Sequence, residues 1–418
     1  MALIVAVLSI TGFTTRTPDK ETVLKTAREA YLYGLPLVLT DLTRIGGGRP
    51  DNVFTHSHAF PDHTFRLVVR PNNDTYYSSA FLDLGAEPIV LSIPDTKDRY
   101  AVVPLMDAWT NVFASFGKRT TGTKAQTYVV TGPTWKGKLP NGLPQVKSPT
   151  DLVWIIGRVQ VNSPEDGKQV VVPIQKGLKL TPLSQWGKGE QAPLPTAVSP
   201  VYSVEKSEAV QALKAKKISV VEALNRLSTE EYFTYLNELL VKNPGTPADK
   251  PALDRFAQIG IQPGTKFDIS TFDAATQTEL NSVATKLLAS FDAGRTILRD
   301  RKEGKPDLTM GHYGTNYQKR AAVAYFGLGA LGPEDAVYLG YNTDETGQPL
   351  TGNASYIIHF EPKKTPPARA FWSITLYDKA GYLTENPIRR YAIGDRDKLK
   401  FNPDGSLDIY VQHASPGN

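Results

Sequence analysis

A chain of 418 residues with 40% hydrophobic and 10% aromatic residues is too long for one ordinary core, so two or three domains are expected. The 47 basic and 42 acidic residues leave a net charge of +5, and the basic residues are dispersed, which argues against a nucleic-acid-binding stripe or a membrane-binding patch. The absence of cysteine excludes disulfide bonds, thiol nucleophiles and cysteine-based metal sites.

Residues 1–18 form an apolar N-terminal tail. Its start, MALIVAVLSITGF, has the length of an export signal but lacks a basic beginning. A clipped export signal is one interpretation, and a first strand or a plain apolar tail is the other. The first predicts a periplasmic or secreted protein, and the second leaves a cytoplasmic location open. No other segment approaches the roughly 18 apolar residues of a membrane-spanning helix.

Residues 19–46 carry apolar side chains at helical spacing, interrupted at Gly34 and Pro36, which predicts a helix, a break and a second short helix. From 47 to 180, short β-like runs such as PIVLSI and DLVWIIGRVQV alternate with Pro and Gly and predict an N-terminal β domain. Residues 181–200 are rich in Pro, Gly and Ser, as linkers are.

Residues 201–332 return to helical spacing, with Ser and Asp at plausible helix starts. Residues 333–418 contain strand-like runs again, from DAVYLGY to LDIYVQH. This order predicts a multi-domain α and β protein, in which two β-sandwich-like or barrel-like domains flank a mainly helical segment.

The stretch RPNNDTYY, residues 70–77, lies between two strand-like runs. Its asparagines favour a tight turn, but Arg70, Asp74 and Tyr77 are more functional groups than a turn requires. Asp74 is a candidate acid or base, and Arg70 and Tyr77 are candidates for stabilising developing charge.

The stretch PLMDAWTNVFASF, residues 104–116, is interpreted as one strand. Alternation then places Asp107, Trp109 and Asn111 on the same face. Neither a solvent face nor a core suits a carboxylate, an indole and an amide together, so this face predicts a cleft in which Trp109 holds a sugar or polyol ring. A buried contact between domains is the alternative.

In HYGTNYQKR, residues 312–320, a helix is expected to begin near Thr315, with Tyr317 and Arg320 one turn apart. An arginine beside Tyr313 and Tyr317 suits a carboxylate or phosphate, although such an arginine more often pairs with an acidic neighbour. The histidines of HSHAFPDH, residues 56–63, favour a polar loop over a metal site, so neither a metal nor another cofactor is predicted.

The sequence contains no G-x-S-x-G elbow, phosphate-binding loop, H-E-x-x-H helix or calcium-loop pattern. The common hydrolase and nucleotide mechanisms therefore lose support. Acid or base chemistry by Asp74 or Asp107 remains open, because a carboxylate needs only a suitable environment and a partner.

Several long motifs resemble a bacterial family that pairs domain of unknown function 1254 with domain of unknown function 1214. They include REAYLYGLPLVLTDLTR, RPNNDTYYSSAFLDL, DAWTNVFASFGKRTTGT, GHYGTNYQKRAAVAYFGLGALGPEDAVY and AFWSITLYDKAGYLTENPIRRYAIGDR. The resemblance covers almost the whole chain from about residue 25. It implies two β-sandwich-type domains around a mainly helical segment and, in many members, an export signal. Tyr77 matches the family tyrosine, whereas Tyr76 replaces a leucine. Family members usually continue for another strand or two, so either the C-terminal domain is trimmed here or its sandwich is completed in another way.

These patterns together predict an extracytoplasmic protein with a polar and aromatic cleft for a glycan, a polyol or a small anionic ligand, and no role is carried over from the family. The candidate catalytic residues are Asp74, Asp107, Arg70 and Tyr77, and the candidate ligand-binding residues are Asn72, Trp109, Asn111, Tyr313, Tyr317 and Arg320. The alternative is a non-catalytic envelope or assembly protein. A homo-oligomer is compatible with either, and no nucleic acid or integral membrane segment is expected.

Overall fold

The computed structural model describes residues 18–66, 70–188, 201–293 and 307–414. A long helix is followed by strands, then by helices, then by strands, which confirms the mixed α and β organisation with a helical middle segment. The apolar residues 1–17, on which the export-signal interpretation depends, lie outside the described residues. Within the described ranges, no helix combines the length and the apolar character needed to cross a membrane.

Helix α1 (Lys20–Gly47) is continuous, so the predicted break at Gly34 and Pro36 is wrong. The Asp19 side chain accepts a hydrogen bond from the backbone of Thr22 and caps its start. Every residue from 33 to 42 is buried, because other helices surround α1. This packing stabilises a proline-containing helix that would be weak alone, since most helical stability in proteins comes from tertiary contacts.

The N-terminal strands form two sheets. Antiparallel strands in the order β1-β2-β8-β4-β5 make the first, and β7-β6-β3-β9 make the second, in which β6 and β7 are parallel. The strands are β1 (Thr55–His56), β2 (Thr75–Asp83), β3 (Ile89–Ile93), β4 (Ala101–Asp107), β5 (Val112–Gly117), β6 (Gln126–Thr131), β7 (Gln145–Lys147), β8 (Leu152–Gln160) and β9 (Lys179–Pro182).

Buried side chains of both sheets share one hydrophobic core. Leu82, Leu105 and Val153 of the first sheet meet Leu91 and Val130 of the second. The two sheets therefore pack against each other through the apolar face that alternation gives each strand. No sheet in the described ranges closes into a barrel.

The helices of the middle segment pack around α1 and share its hydrophobic core. Between β8 and β9 lie α2 (Pro164–Asp166), a π turn (Gly167–Val171) and α3 (Val172–Gly177). The later helices are α4 (Glu208–Lys214), α5 (Val220–Arg226), α6 (Thr229–Lys242), α7 (Lys250–Ala257), α8 (Ala274–Asn281), α9 (Val283–Ala293) and α10 (Tyr317–Gly327). Short 3-10 turns cover Leu183–Gln185, Ser203–Lys206, Pro247–Asp249 and Ile269–Thr271.

The C-terminal strands are short. β10 (Tyr356–Phe360) pairs with β13 (Leu407–Val411), and β11 (Ser373–Thr375) pairs with β12 (Ala392–Gly394), as two separate antiparallel pairs. The strand predicted in DAVYLGY is wrong, because no neighbouring strand pairs with residues 335–341. In the predicted linker, residues 181–188 finish β9 and form a 3-10 turn, and residues 189–200 lie outside the described residues.

Candidate functional site

The RPNNDTYY stretch contains a turn that Asn72 stabilises. The Asn72 side-chain oxygen accepts hydrogen bonds from the backbone N–H groups of Asp74 and Thr75, and its amide donates to the Thr75 hydroxyl at 3.0 Å. Asparagine commonly builds tight turns in this way. Both ends of the Asn72 side chain are therefore engaged inside the loop.

Asp74 is buried and faces the C-terminal part of the chain. The Ser373 hydroxyl donates to its carboxylate at 2.8 Å, and Arg396 forms an ion pair with it. Burial raises the pKa of Asp74, although Arg396 and Ser373 oppose that rise. These partners place Asp74 in a contact between the N-terminal sheets and the C-terminal strands.

Two backbone contacts join the same loop to the C-terminal part. The Tyr377 hydroxyl donates to the Pro71 carbonyl at 3.0 Å, and the Arg70 backbone N–H donates to the Gly381 carbonyl at 2.7 Å. Arg70 has a φ of 52°, a conformation that few non-glycine residues adopt. The loop is thus fixed by tertiary contacts on both flanks.

Tyr77 lies on β2 directly opposite Arg158 of β8. The Arg158 guanidinium carbon is 5.3 Å from the centre of the Tyr77 ring. Arg158 also donates to the Tyr338 hydroxyl at 2.9 Å and to the Gly329 carbonyl at 3.0 Å. Tyr77 therefore belongs to a cation–π contact within the first sheet, and the hydrogen bonds of Arg158 join this sheet to the chain after α10.

Residues 104–116 form a hairpin, so the prediction of a single strand is wrong. β4 ends at Asp107, whose carboxylate accepts hydrogen bonds from the backbone N–H groups of Trp109 and Asn111, each at 2.9 Å. The Asn111 side-chain amide adds a further bond at 3.1 Å. Asp107 thus holds the turn that separates β4 from β5, and the predicted shared strand face does not exist.

Trp109 is only 2% exposed, so its ring cannot serve as the open stacking platform that the sequence predicted. The Tyr33 ring lies 4.7 Å from it, centre to centre, and the indole N–H donates to the Pro244 carbonyl at 3.0 Å. Trp109 is buried because the turn between β4 and β5 points its side chain into the helices around α1.

Asp74 and Asp107 lie at opposite ends of strand β8, so the prediction of one cleft that contains both is wrong. Asp107 is opposite Val153, and the Asp74 carbonyl accepts a hydrogen bond from Val161. These two β8 residues are 161 − 153 = 8 positions apart, which corresponds to about 26 Å at about 3.3 Å per residue. A small ligand cannot bridge that distance.

Most of the predicted ligand-binding residues nevertheless meet, around Arg320. This arginine is buried in α10, and its guanidinium carbon lies 5.3 Å, 5.0 Å and 5.3 Å from the ring centres of Tyr33, Trp109 and Tyr317. We call this set of side chains the Arg320 cluster: Tyr33, Asp107, Trp109, Asn111, Asp249, Tyr313, Tyr317 and Arg320. Of the predicted ligand-binding residues, Asn72 alone lies elsewhere.

The Arg320 guanidinium has unmet hydrogen-bonding capacity. Its Nε and Nη2 are buried and have no hydrogen-bond partner among the described residues of the chain, and the hydroxyl of the fully buried Tyr33 has none there either. Aromatic rings attract a cation but accept few hydrogen bonds. Because buried donors are almost always paired in folded proteins, a bound acceptor, water or a ligand, is expected beside these nitrogens.

Asp249 lies on the other side of the Arg320 cluster and is already paired. Its carboxylate accepts hydrogen bonds at 2.8 Å from the Tyr317 hydroxyl and from both the N–H and the hydroxyl of Thr246. Gly245 allows the Tyr33 hydroxyl to approach the neighbouring backbone, since a Cβ there would collide with it. Neither Asp249 nor Asp107 forms a hydrogen bond with Arg320.

Asp107 is the titratable group of the cluster that responds near neutral pH. Burial raises its pKa to about 6, and the hydrogen bonds from Asn111 and Trp109 and the charge of Arg320 limit that rise. Burial also raises the pKa of Tyr33 and of Tyr317 above the ordinary value. The tyrosines therefore stay neutral over the pH range in which Asp107 titrates.

The histidines of HSHAFPDH form hydrogen bonds with hydroxyl groups. His56 shares a hydrogen bond of 2.9 Å with the Ser78 hydroxyl, and His63 shares one of 2.9 Å with the Tyr391 hydroxyl. In the parts of the chain that the structure describes, no three His, Asp or Glu side chains are grouped as metal ligands.

Sequence reasoning missed Tyr33 and Asp249. Tyr33 lies in an apolar helical run, where a tyrosine has the same pattern as any core residue. Asp249 ends a 3-10 turn of the kind in which aspartate usually caps a helix. Neither position carries a signal in the sequence that separates a site residue from a structural one.

Comparison with known families identifies the chain. The model of a family described as protein of unknown function DUF1254 matches residues 52–182, and that of DUF1214 matches residues 335–418. The chain belongs to the family that pairs these two domains. The resemblance predicted from the motifs is therefore confirmed, and the DUF1254 match begins and ends close to the two N-terminal sheets.

Solved structures with a similar chain are also known. The crystal structure of the VPA0106 protein from Vibrio parahaemolyticus is 25% identical and has a TM-score of 0.65, over 93% of this chain and 88% of that chain. A crystal structure of an uncharacterised protein from Burkholderia cenocepacia is 13% identical with a TM-score of 0.39, over 95% of this chain and 84% of that chain. No curated protein matches the chain.

Proposed function

We propose that this protein binds a small planar anion, such as a carboxylate, at the Arg320 cluster. The observation that carries the proposal is the pair of unpartnered nitrogens, Nε and Nη2, on a guanidinium that is 2% exposed. These two nitrogens form one edge of the guanidinium, and that edge matches the two oxygens of a carboxylate. Each buried donor left unpaired costs about 1–3 kcal/mol, so an anion that pairs both is strongly favoured.

The two carboxylates of the Arg320 cluster do not fill this role. The Asp107 oxygens accept hydrogen bonds from Trp109 and Asn111, and the Asp249 oxygens accept them from Tyr317 and Thr246. The three aromatic rings contribute about 0.5–2 kcal/mol each to holding the cation, but they leave its N–H groups free. This arrangement favours an anionic ligand over a polyol or glycan, because no open aromatic face is available for stacking.

Any chemistry at this site would depend on Asp107. A carboxyl group with a pKa of about 6 is well matched to proton transfer near neutral pH, and it belongs to the same cluster as Arg320. The catalytic roles predicted for Asp74, Arg70 and Tyr77 stay predictions, and their contacts favour a role in joining the domains.

The test is the melting temperature of the purified protein with sodium salts of nitrate, formate, acetate, succinate and phosphate, against chloride at equal ionic strength. An anion at about 100 times its dissociation constant should stabilise the native state by roughly 2.7 kcal/mol. Arg320→Lys keeps the positive charge but removes the guanidinium edge formed by Nε and Nη2, so the anion should no longer stabilise this variant.

Arg158→Lys is the matched control, because Arg158 also lies over a tyrosine ring but has partners for both terminal nitrogens. It should respond to anions like the unsubstituted protein. The proposal is overturned if no planar anion stabilises the protein beyond chloride, or if Arg320→Lys responds as strongly as Arg158→Lys.

A further inference from the structure

We propose that Asp107 takes up one proton for each anion that binds beside Arg320. This inference rests on the proposed anion site and concerns its regulation. It follows from the geometry of the Arg320 cluster, in which Trp109 connects the two groups. The Trp109 backbone N–H donates to Asp107 at 2.9 Å, and the Trp109 ring lies 5.0 Å from the Arg320 guanidinium carbon.

The charge balance of the cluster favours proton uptake. Arg320 is its single positive side chain, and Asp107 and Asp249 are its negative ones, each less than 5% exposed. An anion added to this set raises the negative charge in a region that water does not reach. Unpaired buried charge is costly, and the usual response of a protein is to neutralise a titratable group.

The other members of the Arg320 cluster are the groups that must be considered as the proton acceptor. Helix α1 contributes Tyr33, and the segment before α10 contributes Tyr313, both with a pKa raised by burial, so they already hold their protons. Helix α10 contributes Tyr317, whose hydroxyl donates a hydrogen bond to Asp249. It also contributes Arg320, whose side chain has donors but no acceptor.

Asp249 is the other carboxylate of the cluster, and its hydrogen-bond donors differ from those of Asp107. It accepts hydrogen bonds from the hydroxyl groups of Tyr317 and Thr246 and from the backbone N–H of Thr246. These donors lie away from the β4–β5 turn. Asp107 is the group whose pKa burial has moved to about 6. It can therefore accept a proton near neutral pH at a small cost in free energy.

The coupling predicts a definite pH dependence. Below pH 6 Asp107 is protonated before the anion arrives, so affinity should be constant. Above pH 6 the proton must be taken from solution, so the dissociation constant should rise tenfold per pH unit. At pH 8 the affinity should be about 100-fold weaker than at pH 5, with close to one proton taken up per anion.

Isothermal titration calorimetry with nitrate tests this coupling, because nitrate is planar like a carboxylate and does not itself take up protons in this range. Titrations at pH 5, 6, 7 and 8 give the affinity. Repeating the pH 8 titration in two buffers of different ionisation enthalpy gives the number of protons taken up. This second measurement needs no substitution and so does not depend on the folding of a variant.

Asp107→Asn is the informative variant, since an asparagine oxygen can still accept the Trp109 and Asn111 N–H bonds. It should bind nitrate with the same affinity at every pH, and at pH 8 about 100-fold more tightly than the unsubstituted protein. Asp74→Asn is the matched control, because Asp74 is also a buried carboxyl with a raised pKa but lies about 26 Å away along β8. It should keep the full pH dependence.

Different results overturn different claims. Nitrate binding that is independent of pH, binding without proton uptake, or an unchanged slope in Asp107→Asn overturns the coupling and leaves the anion site standing. Absence of nitrate and formate binding from pH 5 to pH 8 overturns the anion site and the coupling together.

Discussion

Tyr33 and Tyr232 are both fully buried, but they differ by one hydrogen bond. The Tyr232 hydroxyl donates to the Tyr31 carbonyl at 2.8 Å, whereas the Tyr33 hydroxyl has no partner. A buried hydroxyl without a partner destabilises the native state, because it has lost its bonds to water. Tyr33 therefore carries a cost in stability that a purely structural residue would not need.

Replacing each of these tyrosines with phenylalanine measures that cost. Tyr33→Phe should leave the free energy of unfolding unchanged or raise it by up to about 1 kcal/mol in the absence of anions, since it removes an unpaired group. Tyr232→Phe should lower it by about 1 kcal/mol, because a formed bond is lost. Urea denaturation gives both values. Equal destabilisation by the two substitutions would show that Tyr33 has a partner in solution.

At the scale of single residues, the sequence predicted some neighbours but not their positions in the fold. Tyr317 and Arg320 were expected one helical turn apart, and the two side chains do meet in one cluster. The sequence could not place Asp74 at the far end of β8, because strand register is set by pairing partners tens of positions apart as well as by nearby turns.

Helix α1 carries the main difference between the predicted and the observed elements. Gly34 and Pro36 weaken a helix in isolation, which is why the sequence predicted a break. In the structure both are buried inside the helical core, and the Gly34 backbone approaches Leu236 of α6. The glycine permits close packing of two helices, so tertiary contacts override the local preference.

Gly34→Ala tests this account of α1. Alanine favours a helix, but its Cβ would lie 2.5 Å from a methyl group of Leu236, which is itself fully buried. The free energy of unfolding should therefore fall by about 1–3 kcal/mol. Gly47→Ala is the control in the same helix, because nothing lies within 4 Å of a Cβ there, and it should raise stability by up to about 1 kcal/mol. Chemical denaturation compares them, and a stabilising Gly34→Ala would contradict the packing argument.

In the β4–β5 hairpin, as in α1, the local sequence preference did not predict the observed structure. Alternation predicted the strands but extended them through residues 108–111, because Ala108, Trp109 and Thr110 resemble strand residues. The turn depends on the Asp107 carboxylate and on the positive φ of Thr110. Side-chain capping of a turn by a single aspartate leaves no periodic pattern, so it could not be predicted from spacing.

For the whole molecule, the sequence order of strands, helices and strands was sufficient to predict the mixed α and β organisation with a helical middle segment, but it did not predict which parts touch. Helix α1 precedes the N-terminal sheets in the chain, yet it shares a core with helices beyond residue 207. The DUF1254 and DUF1214 regions also meet directly. Asp335 accepts hydrogen bonds from Ser115 at 2.8 Å and from two nitrogens of Arg119, at 2.6 Å and 2.8 Å.

From the contact of Asp335 with Ser115 and Arg119, we predict how the DUF1254 and DUF1214 regions separate. Asp335 is largely buried and Arg119 partly exposed, so Asp335→Asn should weaken the contact by about 1–3 kcal/mol while leaving each core intact. Hydrogen exchange measured by mass spectrometry should then become faster in β5 and in residues 329–341, but not in β8, which lies inside the first sheet. Asp397→Asn is the control, because its partner Arg390 lies within the C-terminal region, and it should leave β5 unchanged. Faster exchange throughout the first sheet would mean that the contact stabilises the N-terminal fold itself, whereas unchanged exchange in β5 would mean that Arg119 and Ser115 do not hold the regions together.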